Sequence, residues 1–142
     1  MNLHFTKLGN GEPILIVHGL FGSSDNWRTL GKKFSEKNTV YLIDLRNHGR
    51  SDHSDEMNYE IMADDLMNFI NKENIVQPIL LGHSMGGKTA LMFVKKFPNI
   101  SIGAIPEIDS FDEITFIKYS GYIRYLSFEI LKINAFEFRI SK

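Results

Sequence analysis

The chain has 142 residues, 43% of them hydrophobic, a formal net charge of −1 and no cysteine. That length supports one domain with its own core. The near-neutral charge, with Lys and Arg scattered along the chain, argues against nucleic acid or an anionic membrane as partner, and the lack of cysteine excludes a disulfide framework, a thiol nucleophile and a thiolate metal site.

The opening MNLHFTKLGNGEP has no apolar stretch of signal-peptide length. No later run approaches the roughly 18 apolar residues of a membrane span. A cytoplasmic protein with no membrane span is the expectation.

Residues 3 to 8 alternate and read as an edge strand, and Gly9-Asn10-Gly11 as the tight turn of a hairpin. Ile14-Leu15-Ile16-Val17 is a short, β-branched apolar run, the mark of a buried strand. Ser23 to Asn26 offer N-caps for a helix carrying Trp27, Leu30 and Phe34. Thr39 to Ile43 is a second buried strand ending at Asp44, followed by the polar loop LRNHGRSDHSDE. From Tyr59 to Asn71, Ile61, Met62, Leu66, Phe69 and Ile70 mark one helix face. Asp64 and Asp65, adjacent on that helix, do not face each other and read as a solvated surface. Ile79 to Leu81 is a third core strand, and Thr89 to Phe97 a helix that Pro98 stops.

Strand and helix alternate three times, which predicts an α/β layer with a parallel sheet. Loops at the carboxyl ends of such strands gather to form sites. Three motifs fall there: His18-Gly19-Leu20, Asp44-Leu45-Arg46 and Gly82-His83-Ser84.

Gly82-His83-Ser84-Met85-Gly86 matches the nucleophile elbow, in which a sharp strand-to-helix turn exposes a serine hydroxyl above the sheet. The helix N-terminus beside Ser84 favours developing negative charge. Tetrahedral oxyanions need donors, and the candidates are the backbone N–H groups of Met85 and Leu20. His18 and Gly19 read as support for the second of these loops. His83 abuts the serine, but neighbouring elbow residues point in different directions, so it too reads as support. The Asp44 to Ser51 loop reads as a hydrogen-bonded structure beside the site. His48, Asp52, His53 and Asp55 share one loop, and no metal site is expected from them.

HGLFGSSDNW, DLRNHGRSD and LLGHSMGGKTA, in that order, resemble the α/β-hydrolase superfamily and are similar to the small YbfF-type serine esterases over about residues 1–98. The resemblance implies a partial α/β-hydrolase fold, a mostly parallel sheet with flanking helices and the C-terminal half of the fold missing. It implies a serine hydrolase acting on acyl esters or thioesters without metal or organic cofactor. Ser84 carries over as nucleophile, Leu20 and Met85 as oxyanion donors.

The family order is Ser, then Asp or Glu, then His. All five histidines, His4, His18, His48, His53 and His83, precede Ser84. Composition also shifts: residues 99–142 hold 10 of the 17 isoleucines and 8 of the 17 aromatics, with no family pattern. Within them, Phe116, Tyr119, Ile123, Leu126, Ile130 and Ile133 predict an amphipathic helix packed on the domain. SIGAIPEID matches a returning core strand poorly. Two explanations stand: a reading frame truncated or shifted near residue 99, or a shortened relative that has lost its base. The first class of function is a weakly active or inactive serine esterase. The second is a catalytically dead fragment that binds a ligand or partner, or self-associates, through exposed apolar surface. Acyl transfer uses the same elbow and is a third reading.

Overall fold

The computed structural model describes residues 1–100 and, beyond them, the backbone of two strands, Pro106–Ser110 and Glu113–Phe116. In chain order the elements are β1 (Phe5–Leu8), β2 (Glu12–Val17), a 3-10 turn (Ser24–Trp27), α1 (Arg28–Phe34), β3 (Asn38–Ile43), α2 (Tyr59–Lys72), β4 (Ile79–His83), α3 (Met85–Lys96), β5 (Pro106–Ser110) and β6 (Glu113–Phe116). They build one sheet of order β1-β3-β2-β4-β5-β6. The inner pairs β2–β3, β2–β4 and β4–β5 are parallel, and β1 and β6 run antiparallel at the two edges.

The apolar run of β2 is continuous because both sheet faces are covered. Leu15 and Val17 join Tyr41, Ile43 and Leu80 in a core closed by Met62, Leu66 and Phe69 of α2 and Ala90 and Phe93 of α3. Ile14 and Ile16 point the other way, with Val40, Leu42 and Leu81, against Trp27 and Phe34. The three-layer arrangement follows directly: α1 lies on one face, α2 and α3 on the other.

The expected hairpin at Gly9-Asn10-Gly11 does not form. β1 pairs with β3, and β3 lies between β1 and β2. The glycines serve a crossing instead. Gly9 and Gly11 take φ of 69° and 137°, and a Cβ on Gly9 would sit 2.3 Å from the carbonyl oxygens of Ser35 and Asn38.

The Asp64-Asp65 expectation is half corrected. Asp64 is surface-exposed and pairs with Lys96 at 2.7 Å, but Asp65 is buried. Its carboxylate takes both Nε and Nη2 of Arg46, at 2.5 and 2.9 Å, while Nη1 donates to the Glu56 carbonyl at 2.7 Å. This fork ties the loop after β3 to α2, and the Asp65 hydrogen bonds push the Arg46 pKa above its ordinary range. The predicted helix starting at Phe116 overlaps β6, which ends there, and its remaining positions lie outside the described residues. Of the tail expected over 99–142, only residues 99 and 100 and the strands β5 and β6 are described.

Removing one partner leaves a buried charge uncompensated, whereas replacing both need not. Asp65→Ala is expected to lower stability by about 3–5 kcal/mol. The double variant Arg46→Met/Asp65→Leu should recover most of that loss in urea denaturation. Equal losses in single and double variants would contradict this account.

Candidate functional site

Val17 is in register with Ile43 of β3 and with Gly82 of β4. Because the three strands are parallel, their chains leave the sheet on the same edge, side by side. The structure thereby brings together the residues expected at the site: His18, Gly19 and Leu20 after β2, and Gly82, His83, Ser84, Met85 and Gly86 at the β4–α3 turn.

The turn at Ser84 is abrupt. β4 ends at His83 and α3 starts at Met85, so a single residue makes the reversal, with φ 49° and ψ −110°. A non-glycine residue there costs of order 1–3 kcal/mol. Steric detail explains the flanking glycines. A Cβ on Gly82 would lie 2.5 Å from the Gly86 carbonyl carbon and the Gly87 nitrogen, and one on Gly86 would lie 2.3 Å from the Val17 carbonyl oxygen. Both positions must be bare for α3 to start against the end of β2.

The Ser84 carbonyl accepts from Lys88 N–H at 3.0 Å, so Ser84 is the N-cap of α3. Its hydroxyl is not spent on capping, and among the described residues Oγ has no hydrogen-bond partner. Ser84 is half-buried. Met85 is the first helical residue, where a backbone N–H has no intrahelical acceptor and the helix dipole is most positive. In the loop after β2, Gly22 N–H donates to Gly19 O at 3.0 Å, closing a turn with Leu20 and Phe21 at its tip. Leu20 is 55% exposed, and Phe21, at φ 61°, is 92% exposed. Neither Leu20 N–H nor Met85 N–H is taken by another backbone group among the described residues.

His18 holds that turn from beneath. It is buried, its Nε2 accepts from Leu45 N–H at 3.0 Å, and its Nδ1 lies 2.8 Å from Gly19 O. An N–H donor at Leu45 requires a bare Nε2, so Nδ1 carries the proton and donates to Gly19. Only the neutral ring fills both roles. Burial pushes the His18 pKa down, with the nearby His48 ring acting the same way, while the Gly19 hydrogen bond and Asp44 pull against them. The ring of His83 packs on Gly19, where a Cβ would lie 2.6 Å from His83 Nδ1, and stands 6.2 Å from the Trp27 ring. Its ring fills the space between the elbow and the turn.

The third loop is organised by Asp44. Its buried carboxylate accepts from Ser24 N–H at 2.5 Å and Arg50 N–H at 3.0 Å, and meets His4 Nδ1 at 3.1 Å. Burial would raise its pKa, but the Ser24 and Arg50 hydrogen bonds and His4 outweigh it, and the net displacement is downward. Of the other histidines, His48 Nδ1 donates to Arg46 O at 2.8 Å and His53 is exposed. The contribution of Trp27 to the site, through His83, was invisible in the helical spacing that marked it as core.

This geometry agrees with the comparisons. Residues 12–119 match the family model of the alpha/beta hydrolase fold. The chain is 50% identical over 93 residues to a protein named "Probable alcohol acetyltransferase" from Saccharomyces cerevisiae, a match covering 62% of this chain and 27% of that protein. It is 38% identical over 98 residues to an sn-1-specific diacylglycerol lipase of Danio rerio, covering 68% of this chain and 31% of the relative. A solved structure titled "Marine microorganism esterase" superposes with a TM-score of 0.71 at 47% identity, over 74% of this chain and 40% of that one. The chain belongs to the alpha/beta hydrolase family. It spans between about a quarter and a third of the length of these curated relatives, 27% and 31%. No helix among the described residues is long and apolar enough to cross a membrane.

Two predictions follow from the packing and the charges. Gly86→Ala places a methyl group against the Val17 carbonyl and is expected to cost about 1–3 kcal/mol, read as a lowered urea midpoint. An unchanged midpoint would mean that α3 does not need this close approach. For pH, the folded His18 pKa lies below its ordinary 6.5. Between those values the unfolded chain binds a proton that the folded chain excludes, so stability falls as pH drops through that window. The Asp44 contribution is present above the ordinary carboxylate range and is lost at lower pH still, as pH falls through its folded value. Urea midpoints between about pH 7 and about pH 5 should therefore decline in the wild type and flatten in His18→Asn.

Proposed function

We propose that this chain carries the nucleophile half of a serine hydrolase site, acting on acyl esters or thioesters through an acyl-enzyme on Ser84. The observation that carries the reading is the single-residue reversal at Ser84, with its hydroxyl uncommitted and a helix N-terminus beside it. Ser84 Oγ attacks the acyl carbon, and the carbonyl electron pair moves to oxygen. The N–H groups of Leu20 and Met85 receive that oxyanion. Collapse expels the alkoxide or thiolate, which takes up the proton given up by Ser84 and departs as alcohol or thiol, and water then releases the acyl group from Ser84 as the acid. An alcohol in place of water would give acyl transfer, and the name of the yeast relative supports keeping that acceptor in view.

The attack releases a proton. His18 is committed at both nitrogens, and no histidine follows Ser84 in this sequence. Turnover by this chain is therefore expected to be far below that of a site with a base, at the residual level an oxyanion hole alone sustains. The same observation favours a second reading, a hydrolase-fold chain that binds without turning over.

A fluorescent fluorophosphonate separates them. Slow labelling of the wild type that disappears in Ser84→Ala is the expected result and means that Ser84 is nucleophilic without an efficient base. A folded, monomeric wild type that resists the probe would sink the hydrolase reading and leave the binding one.

A further inference from the structure

Residues 2 to 4 run along the loop that follows β3. Asn2 N–H donates to Asp52 Oδ2 at 3.0 Å, and Asp52 N–H to the Asn2 carbonyl at 3.3 Å. Two residues on, His4 N–H donates to Ser51 Oγ at 2.8 Å, and the His4 carbonyl accepts from Asp44 N–H at 2.9 Å. These bonds use the backbone of His4 and leave its ring for another partner. That partner is the buried Asp44 carboxylate, with Nδ1 3.1 Å from Oδ2. A carboxylate accepts, so Nδ1 carries a proton and donates.

Asp44 in turn holds the far end of the turn that carries Leu20. The entry of that turn is fixed by His18, whose Nδ1 donates to Gly19 O. Its tip is strained, with Phe21 at φ 61°, and such a backbone persists only while its surroundings over-determine it. The exit is fixed by Ser24 N–H on Asp44 Oδ1 at 2.5 Å. Where Ser24 sits therefore depends on how the carboxylate is turned. Its other oxygen meets Arg50 N–H at 3.0 Å as well as His4, but Arg50 belongs to the same loop as Asp44 and moves with it. His4 leads into β1, which pairs with β3, so its hydrogen bond ties the carboxylate to the sheet itself. We infer that His4 is a positioning residue for the oxyanion turn: it orients the Asp44 carboxylate toward Ser24, and by way of Asp44 it fixes where the Leu20 N–H points. This inference rests on the reading of Leu20 as an oxyanion donor for Ser84.

His4→Ala removes the ring and keeps the backbone bonds, which separates positioning from strand pairing. Two quantities are read in the full chain: exchange of the Gly22 and Ser24 amide protons, and the rate of fluorophosphonate labelling. In His4→Ala both amides are expected to exchange about tenfold faster, as loss of a hydrogen bond to a charged group implies. Labelling should slow about tenfold, the direction a displaced oxyanion donor gives. His4→Asn, whose Nδ2 can take the place of Nδ1, should bring both quantities back to within about threefold of the wild type. Thr39→Val removes a hydrogen bond to Gly11 O at the opposite end of β3; it should lower the urea midpoint and leave exchange and labelling within about threefold. Unchanged exchange in His4→Ala, no rescue by His4→Asn, or equal effects in Thr39→Val would each overturn the assignment. Should His4→Ala not fold, His4→Gln takes its place, since it moves the donor one methylene farther out; wild-type exchange in that variant overturns the assignment too. A wild type that resists the probe strikes Ser84 as nucleophile, and exchange at Gly22 and Ser24 then decides by itself whether His4 holds the turn.

Discussion

The close approach of α3 to the end of β2 governs the rest of the site. The Gly86 backbone lies so near the Val17 carbonyl that a single methyl group would collide with it. Bringing the helix that close leaves one residue in which to turn from strand to helix, and Ser84 absorbs the whole reversal at a positive φ. Strain at the serine is thus the local expression of tight packing elsewhere. That packing is held by the core that α3 shares with α2 and with the inner strands, including Phe93, Ala90 and Leu80. A helix a few ångströms further out would relax the turn and withdraw the Met85 N–H from the sheet edge.

A polar frame fixes the other two loops around this turn. His18 connects them, taking a hydrogen bond from Leu45 and giving one to Gly19. Asp44 draws in the backbone of Ser24 and Arg50, and Arg46 reaches down to Asp65 on α2. His18, Asp44, Arg46 and Asp65 are all buried. In a low dielectric, a satisfied polar network is rigid and a broken one is costly. The frame therefore confers precision on the turn carrying Leu20, and makes the site acid-sensitive because His18 works only when neutral.

The relation to esterases, lipases and acyltransferases rests on this half of the fold. The matches to curated relatives run over 93 to 98 residues of this chain, and the family model matches residues 12–119, which include β2 through α3. The step that needs a proton acceptor lies outside what the described residues supply. Nucleophile geometry and proton transfer are separable contributions to catalysis, and removal of the second is measured against the residual activity of the first.

Much of the fold was legible from periodicity. The runs Ile14–Val17 and Thr39–Ile43 declared buried strands because a strand covered on both faces has no polar positions. The elbow was legible because sterics at Gly82 and Gly86 admit almost no other residue. Two errors have physical causes. Gly9-Asn10-Gly11 has hairpin composition, but turn residues report local bending and not which strand lies alongside, and β3 intervenes. Asp65 looked solvated because adjacent carboxylates diverge on a helix, yet divergence points one of them inward, where Arg46 meets it. By itself, the sequence determined the elements, the elbow and the absence of a histidine after Ser84, all of which are local or compositional. Only the tertiary structure decided the strand order, the tautomer of His18, the buried Arg46–Asp65 fork and the exposure of Phe21. Each of those depends on partners distant in the chain, and no local pattern encodes them.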